Sequence, residues 1–124
     1  MVIGLGIDMI EVDRIASKIS KEQGFREAVF SKNEIEYCEP KPNRFEHYAA
    51  RFAAKEAFLK AVGTGWAKGI AFNEIEIIND QNGKPSMYLL GETKKTFEGS
   101  QSKTISVSLT HLKTIASAVV VIEN

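Results

Sequence analysis

The chain has 124 residues, 44% of them apolar and 26% charged, and its sixteen basic residues are matched by sixteen acidic ones. That balance suits one globular domain over residues 1–124, and it argues against a nucleic-acid partner, which calls for a basic excess. No apolar run approaches the roughly 20 residues that cross a bilayer. The opening MVIGLGIDMI lacks a basic leader and is interrupted by Asp8, so a cytoplasmic protein with no membrane partner is expected. A single cysteine, Cys38, excludes an internal disulfide and a cysteine-based metal cluster.

The first predicted element is a strand over Val2 to Ile10, with Ile3, Leu5, Ile7 and Met9 on one face and Gly4, Gly6 and Asp8 on the other. Two glycines beside a carboxylate leave room for a ligand to approach the backbone. Capping of the helix that follows is the alternative role for Asp8. That helix carries Ile15 and Ile19 and ends before Gly24. A short helical turn covers Phe25 to Phe30, and Ser31 with Glu34 forms a capping box opening a helix through Glu39.

Pro40 and Pro42 mark a loop, and the longest helical pattern runs from Asn43, its expected cap, to Val62. Gly63 and Gly65 stop it. Gly63-Thr64-Gly65 lacks the spacing of a P-loop and follows a helix instead of opening one, which excludes a P-loop nucleotidase. Trp66 is either a hydrophobic plug or a wall for an aromatic ring. Glu74 to Ile78 and Pro85 to Leu90 read as strands around the turn Asp80-Gln81-Asn82-Gly83. A short helix over Glu92 to Phe97 and apolar strands over Thr104 to Thr110 and Ile115 to Ile122 complete the chain. The expected class is α+β, a mostly antiparallel sheet packed on one long helix with short helices around it.

On a helical wheel Phe45, Ala49, Phe52 and Leu59 form an apolar stripe with Glu56 in its middle. A carboxylate there needs an ion pair, a raised pKa or a metal ion to offset lost hydration. Asp8 and Glu56 together suit a hard cation such as Mg²⁺, which takes few protein ligands. Lys60, four residues beyond Glu56, makes either a surface salt bridge or a phosphate contact. His111 closes an apolar strand and is a turn histidine or a ligand contact, while His47 reads as a solvent-facing bystander. The cluster Arg14, Lys18, Lys21 and Arg26 is either a solvated helix face or a docking surface for an acidic partner.

These segments together resemble the holo-acyl-carrier-protein synthases, the small bacterial class of phosphopantetheinyl transferases. The likeness rests on Gly6-Ile7-Asp8 leading into Glu11-Val12-Asp13-Arg14-Ile15, and on Arg51-Phe52-Ala53-Ala54-Lys55-Glu56-Ala57-Phe58-Leu59-Lys60-Ala61 with Gly63-Thr64-Gly65 behind it. Asn82-Gly83-Lys84-Pro85 and Ser106-Val107-Ser108-Leu109-Thr110-His111 match in the same order, so the likeness covers nearly the whole chain.

The resemblance implies the phosphopantetheinyl transferase fold, assembled as a homotrimer with active sites at the subunit interfaces. It implies transfer of 4′-phosphopantetheine from coenzyme A to a serine of acyl carrier protein in support of fatty acid biosynthesis. Asp8 and Glu56 would hold Mg²⁺. Lys60 and His111 would lie near the coenzyme A phosphates, with Arg51 and Lys55 assisting and Thr64 and Pro85 bordering the nucleotide. Carrier proteins of this kind are acidic around their serine, which makes Arg14 the strongest docking candidate among the four basic residues. The base stays open among a metal-associated water, Asp8, Glu56 and His111, with His111 the least favoured because phosphate binding would occupy it. A metal-dependent phosphohydrolase and a non-catalytic nucleotide-binding trimer are the competing functions.

Overall fold

Two glycines in the first strand let the longest helix lie against its backbone, and the rest of the fold is arranged around that contact. The computed structural model describes residues 1–63, 69–99 and 102–124. Strand β1 (Val2–Glu11) is crossed by helix α4 (Arg44–Val62). A Cβ on Gly6 would fall inside the van der Waals radius of the Ala57 carbonyl oxygen, and one on Gly4 would meet the Ala61 carbonyl. On the helix side Ala53 and Ala57 are fully buried. The room beside the glycines, expected to admit a ligand, is therefore filled by helix backbone.

Strand β5 (Ile115–Glu123) lies between β1 and β4 (Thr104–His111), and both pairings are antiparallel. Its alternation is regular: Ala116, Ala118, Val120 and Ile122 are buried, and the strand packs on α4. A separate antiparallel hairpin joins β2 (Ile75–Asn79) to β3 (Pro85–Leu89). The Asp80 carboxylate closes its turn by accepting from the amides of Asn82 and Lys84 at 2.8 and 2.9 Å. The α+β class and antiparallel pairing agree with expectation. The strands form two sheets, however: β3 runs beside β4 without a ladder between them among the described residues.

Helices α1 (Val12–Lys21), α2 (Phe25–Val29), α3 (Lys32–Cys38) and α5 (Gly91–Glu98) surround this centre. The predicted capping box is present: the Ser31 hydroxyl accepts from the Glu34 amide, and the Glu34 carboxylate accepts from the Ser31 amide. Gly63 stops α4 in the left-handed region at φ 86°. Asn43 occupies the cap position of α4, but its side chain makes no capping hydrogen bond. No described helix is long and apolar enough to cross a membrane.

Packing, more than periodicity, selects the buried faces of α4 and β1. Helix α4 is enclosed by the sheet, α1 and α3, so burial spreads from Tyr48 through Leu59 and is not confined to a stripe. Phe45 and Phe52, placed on that stripe, are half-buried. On β1 the row Leu5, Ile7 and Met9 is about two-thirds exposed, at 66%, 64% and 66%, because α4 packs on the glycine face.

The centre also holds a buried ion pair. Lys55 Nζ donates to Glu34 Oε1 at 2.6 Å and to the carbonyls of Val29 at 2.9 Å and Phe72 at 2.8 Å, with a fourth acceptor in the Ile75 carbonyl. The other Glu34 oxygen accepts from the Ile77 amide at 3.0 Å. Burial pushes the Lys55 pKa down and Glu34 opposes it, and the three protons of an ammonium are shared among these four acceptors. The pair thereby ties α3, α4 and β2 together.

Candidate active site

Asp8 sits on the helix-facing side of β1, one pleat beyond Gly6, where α4 begins to diverge from the strand. Its carboxylate accepts from Lys60 Nζ at 3.0 Å, and the same ammonium donates to the Ile7 carbonyl at 3.0 Å. The side chain is thus committed to α4 and does not cap α1, whose N-cap is Glu11. Lys60 reaches Asp8 in place of a salt bridge along its own helix to Glu56.

Asp8 and Glu56 line one cavity of about 240 Å³ with Met9, Ile10, Arg14, Lys18 and Phe52. Partial burial, and then the nearby Asp8 charge, raises the Glu56 pKa, while Lys60 and Arg14 only partly oppose this. The cavity therefore holds an acidic pair whose second charge is incompletely compensated.

A stability consequence follows. Folding favours protonated Glu56, so the stability it contributes is present below its ordinary pKa of 4.5 and is lost as pH rises through the higher folded value. Glu56→Gln is expected to raise Tm at pH 7, the difference closing as pH falls below 4.5. Thermal melts of both proteins across that range test this; identical Tm values at pH 7 would show that the charge is already compensated.

A second cavity, about 180 Å³, lies beside the end of β4 and is lined by Tyr37, His47, Arg51, Asn79, Pro85 and His111 among others. Arg51 is 2% exposed. Its Nη2 donates to Asn79 Oδ1 at 2.6 Å, its guanidinium lies 4.3 Å from the Tyr37 ring, and its Nε has no partner. Among the described residues this guanidinium has no carboxylate within ion-pair distance, so the cavity keeps a positive charge without a protein counter-ion. No residue lines both this cavity and the acidic one.

Comparison with known proteins shows the family. Residues 4–119 match the family model of the 4′-phosphopantetheinyl transferase superfamily. The chain belongs to that superfamily. A holo-[acyl-carrier-protein] synthase from Solibacter usitatus is 42% identical, with all of both chains covered. The crystal structure of the Neisseria meningitidis holo-[acyl-carrier-protein] synthase superposes with a TM-score of 0.89 at 31% identity, covering both chains fully. That of the Bacillus anthracis enzyme, in complex with coenzyme A (3′,5′-ADP), gives 0.82 at 37% identity, covering 100% of this chain and 98% of that one.

Within this transferase framework the expected site residues fall into groups. Asp8 and Glu56 share the acidic cavity with Arg14 and Lys18, and Lys60 is joined to Asp8. Arg51, Pro85 and His111 share the basic one. Thr64 and Trp66 lie outside the described residues.

Lys55 is corrected: it is fully buried with every proton engaged in the core, and it lines neither cavity. Arg26 also departs from the docking expectation, because its guanidinium pairs with Glu27 at 2.8 Å and Glu39 at 3.2 Å. Lys18 pairs with Glu22 at 3.3 Å, while Lys21 and Arg14 are exposed.

His47 is no bystander. Its ring meets His111 at 5.0 Å and Tyr37 at 5.7 Å between centroids. Tyr37, Asn79 and Glu46 were not legible as site residues, since each is an ordinary polar residue whose partner is distant in sequence. The Glu46 contact with His111 spans 65 positions.

Proposed function

We propose that this chain transfers the 4′-phosphopantetheine group from coenzyme A to a serine of apo acyl carrier protein, releasing adenosine 3′,5′-bisphosphate. The observation that carries the reading is the pairing of Asp8 and Glu56 in one cavity bordered by Lys60, Arg14 and Lys18. It supports a centre that binds a cation and an anionic substrate side by side and presents basic residues to an acidic protein.

The donor set fits Mg²⁺. Two carboxylates converge, the Glu56 charge is undercompensated, and no third acidic or histidine ligand joins them among the described residues. Mg²⁺ characteristically takes one or two carboxylates and leaves its remaining positions to water and phosphate. Asp8 and Glu56 would hold it, and when bound it supplies polarisation of the phosphoryl oxygen and neutralisation of the leaving diphosphate end.

In the reaction the serine hydroxyl oxygen bonds to the β-phosphorus of coenzyme A as the bond to the adenosine-bearing phosphate breaks, and the hydroxyl proton passes to a base. Lys60, an exposed ammonium anchored beside Asp8, neutralises charge on the phosphoryl oxygens. The proton acceptor belongs to this same acidic cavity, either one of its two carboxylates or a water that they hold.

The basic cavity receives the anionic nucleotide end, through Arg51 and His111. Because the two cavities share no lining residue, a homotrimer with sites completed by a neighbouring subunit belongs to the proposal. The exposed row Leu5, Ile7 and Met9, continued by Val119 and Val121 on β5, supports such an assembly. Ile7→Lys is expected to sediment as a monomer and to lose transfer; a trimeric, active variant would exclude that face.

Arg14 docks the carrier protein. Arg14→Glu is expected to raise the carrier protein KM about tenfold, more at low salt than at high, with the coenzyme A KM nearly unchanged. If both constants rise together, docking is not its role. The proposal places the enzyme in the cytoplasm and in fatty acid biosynthesis.

The whole reading is tested by incubating apo carrier protein with this chain, coenzyme A and Mg²⁺ and weighing the product. A gain of one phosphopantetheine is expected, abolished by chelator. Hydrolysis of coenzyme A with no change in the carrier would instead indicate a phosphohydrolase.

A further inference from the structure

Glu46 has no part in the function proposed above, yet among the described residues it makes a side-chain hydrogen bond between the start of α4 and the end of β4. Its Oε1 lies 2.9 Å from His111 Nδ1. Both side chains are largely shielded, with 18% of Glu46 and 27% of His111 exposed. The two elements that carry them are fixed independently, α4 by its packing on β1 and β5, and His111 by its ladder pairing with Ala116. The bond therefore joins two rigid supports.

We propose that Glu46 is the positioning residue for His111, accepting from Nδ1–H so that Nε2 faces the cavity beside Arg51, where the Nε2–H of the imidazolium donates to an anion. A carboxylate has acceptors only, so this bond exists only while Nδ1 carries hydrogen. The other nitrogen is then the ligand-facing one by elimination. A carboxylate that orients an imidazole in this way also sets which tautomer is present.

Three features of the surroundings fit this role. The Glu46 carboxylate is engaged by His111, and Arg51 has no carboxylate within ion-pair distance among the described residues. The cavity thus keeps an uncompensated guanidinium while its histidine is held. Second, His47 lies against His111 with centroids 5.0 Å apart and planes inclined at 65°, and is itself backed by Tyr37. The ring of His111 is fixed by packing on one side and by the carboxylate on another.

Third, His47 does not compete for a proton. Burial, and then the charges of His111, Lys41 and Arg51, lower its pKa to about 4, with only Glu46 acting in the other direction. It is a neutral buttress at physiological pH. The charged and titratable groups around the cavity are accordingly Glu46, His47 and Arg51 from α4, His111 from β4, and Tyr37 and Lys41 from α3 and the loop after it.

This inference rests on the proposal that the basic cavity takes the anionic end of coenzyme A, and the experiment separates the two. The first measurement is the ¹⁵N imidazole spectrum of the ligand-free protein, taken at a pH where the His111 ring is neutral. The Nδ1–H tautomer of His111 is expected in the wild type, with a shift toward a tautomer mixture in Glu46→Ala. A His111 ring carrying its proton on Nε2 in the wild type overturns the proposal, whatever binds in the cavity.

The second measurement is steady-state kinetics of Glu46→Ala, His111→Gln and the double variant. Glu46→Ala is expected to raise the coenzyme A KM about tenfold, the size of one charge-assisted hydrogen bond, with kcat and the carrier protein KM within twofold. The double variant is expected to match His111→Gln alone, because Glu46 acts through His111. Additive losses would show that Glu46 acts elsewhere and would sink the proposal. Should His111→Gln leave the coenzyme A KM unchanged while the Nδ1–H tautomer is seen, the assignment of the cavity to coenzyme A fails and the positioning role stands.

Discussion

Asp8→Ala and Glu56→Ala are each expected to lower phosphopantetheine transfer by about 10²–10³-fold or more, the loss typical when a fixed electrostatic element of a polar site is removed, and to leave the fold intact. The structural argument for intact folding is specific. Asp8 makes its side-chain contact with Lys60, an ammonium more than half exposed at 56%, and such pairs contribute little to stability. Glu56 carries a charge that folding disfavours, so its removal relieves strain between two carboxylates. Transfer assays with saturating coenzyme A and Mg²⁺, alongside thermal melts, separate the two effects. An active Asp8→Ala or Glu56→Ala protein would falsify the shared-cation centre, and a variant that unfolds would show the residue to be structural. Mg²⁺ titration of Tm adds a readout independent of turnover: the wild type is expected to be stabilised and either variant to be unresponsive.

Lys55→Met is expected to lose about 3–5 kcal/mol of stability, the range seen when one member of a buried ion pair is deleted. A domain of this kind has only about 5–15 kcal/mol in total. The loss arises because Glu34, 0% exposed, is left with its charge and because the carbonyls of Val29, Phe72 and Ile75 lose their donor. Urea denaturation measures it. Adding Glu34→Gln to Lys55→Met is expected to recover part of the loss, since the uncompensated charge is gone and the Gln oxygen still accepts from one of the Ser31 and Ile77 amides. A Lys55→Met protein as stable as the wild type, with a raised coenzyme A KM, would return Lys55 to the substrate site and refute its structural role.

The order and type of the elements were legible because each carries a local signal. Ser31 and Glu34 cap their own helix three residues apart, Gly63 stops α4 with a positive φ, and Asp80 to Gly83 fold on themselves. The same is true of the motif residues. Asp8 and Glu56 stand out as carboxylates in apolar surroundings, and their meeting in one cavity agrees with that anomaly.

What a strand or helix packs against has no such local signature. The periodicity of β1 separates its two faces, but it does not say which one α4 covers. Gly4 and Gly6 decide this, because only a face without Cβ atoms admits the helix backbone so closely, and the apolar row is left outward. In the same way Lys55 lies one position before a site carboxylate, yet a helical step of about 100° turns it into the core toward Glu34 while Glu56 faces the cavity. Glu46 and His111, Arg51 and Asn79, and Lys60 and Asp8 are pairs made by elements distant in the chain. Local propensity acts over a few residues and long-range packing over the whole domain. The chemistry of this protein was therefore written in its residue types, while the assignment of each charged side chain to core, cavity or surface was decided by how the helix seats on the sheet.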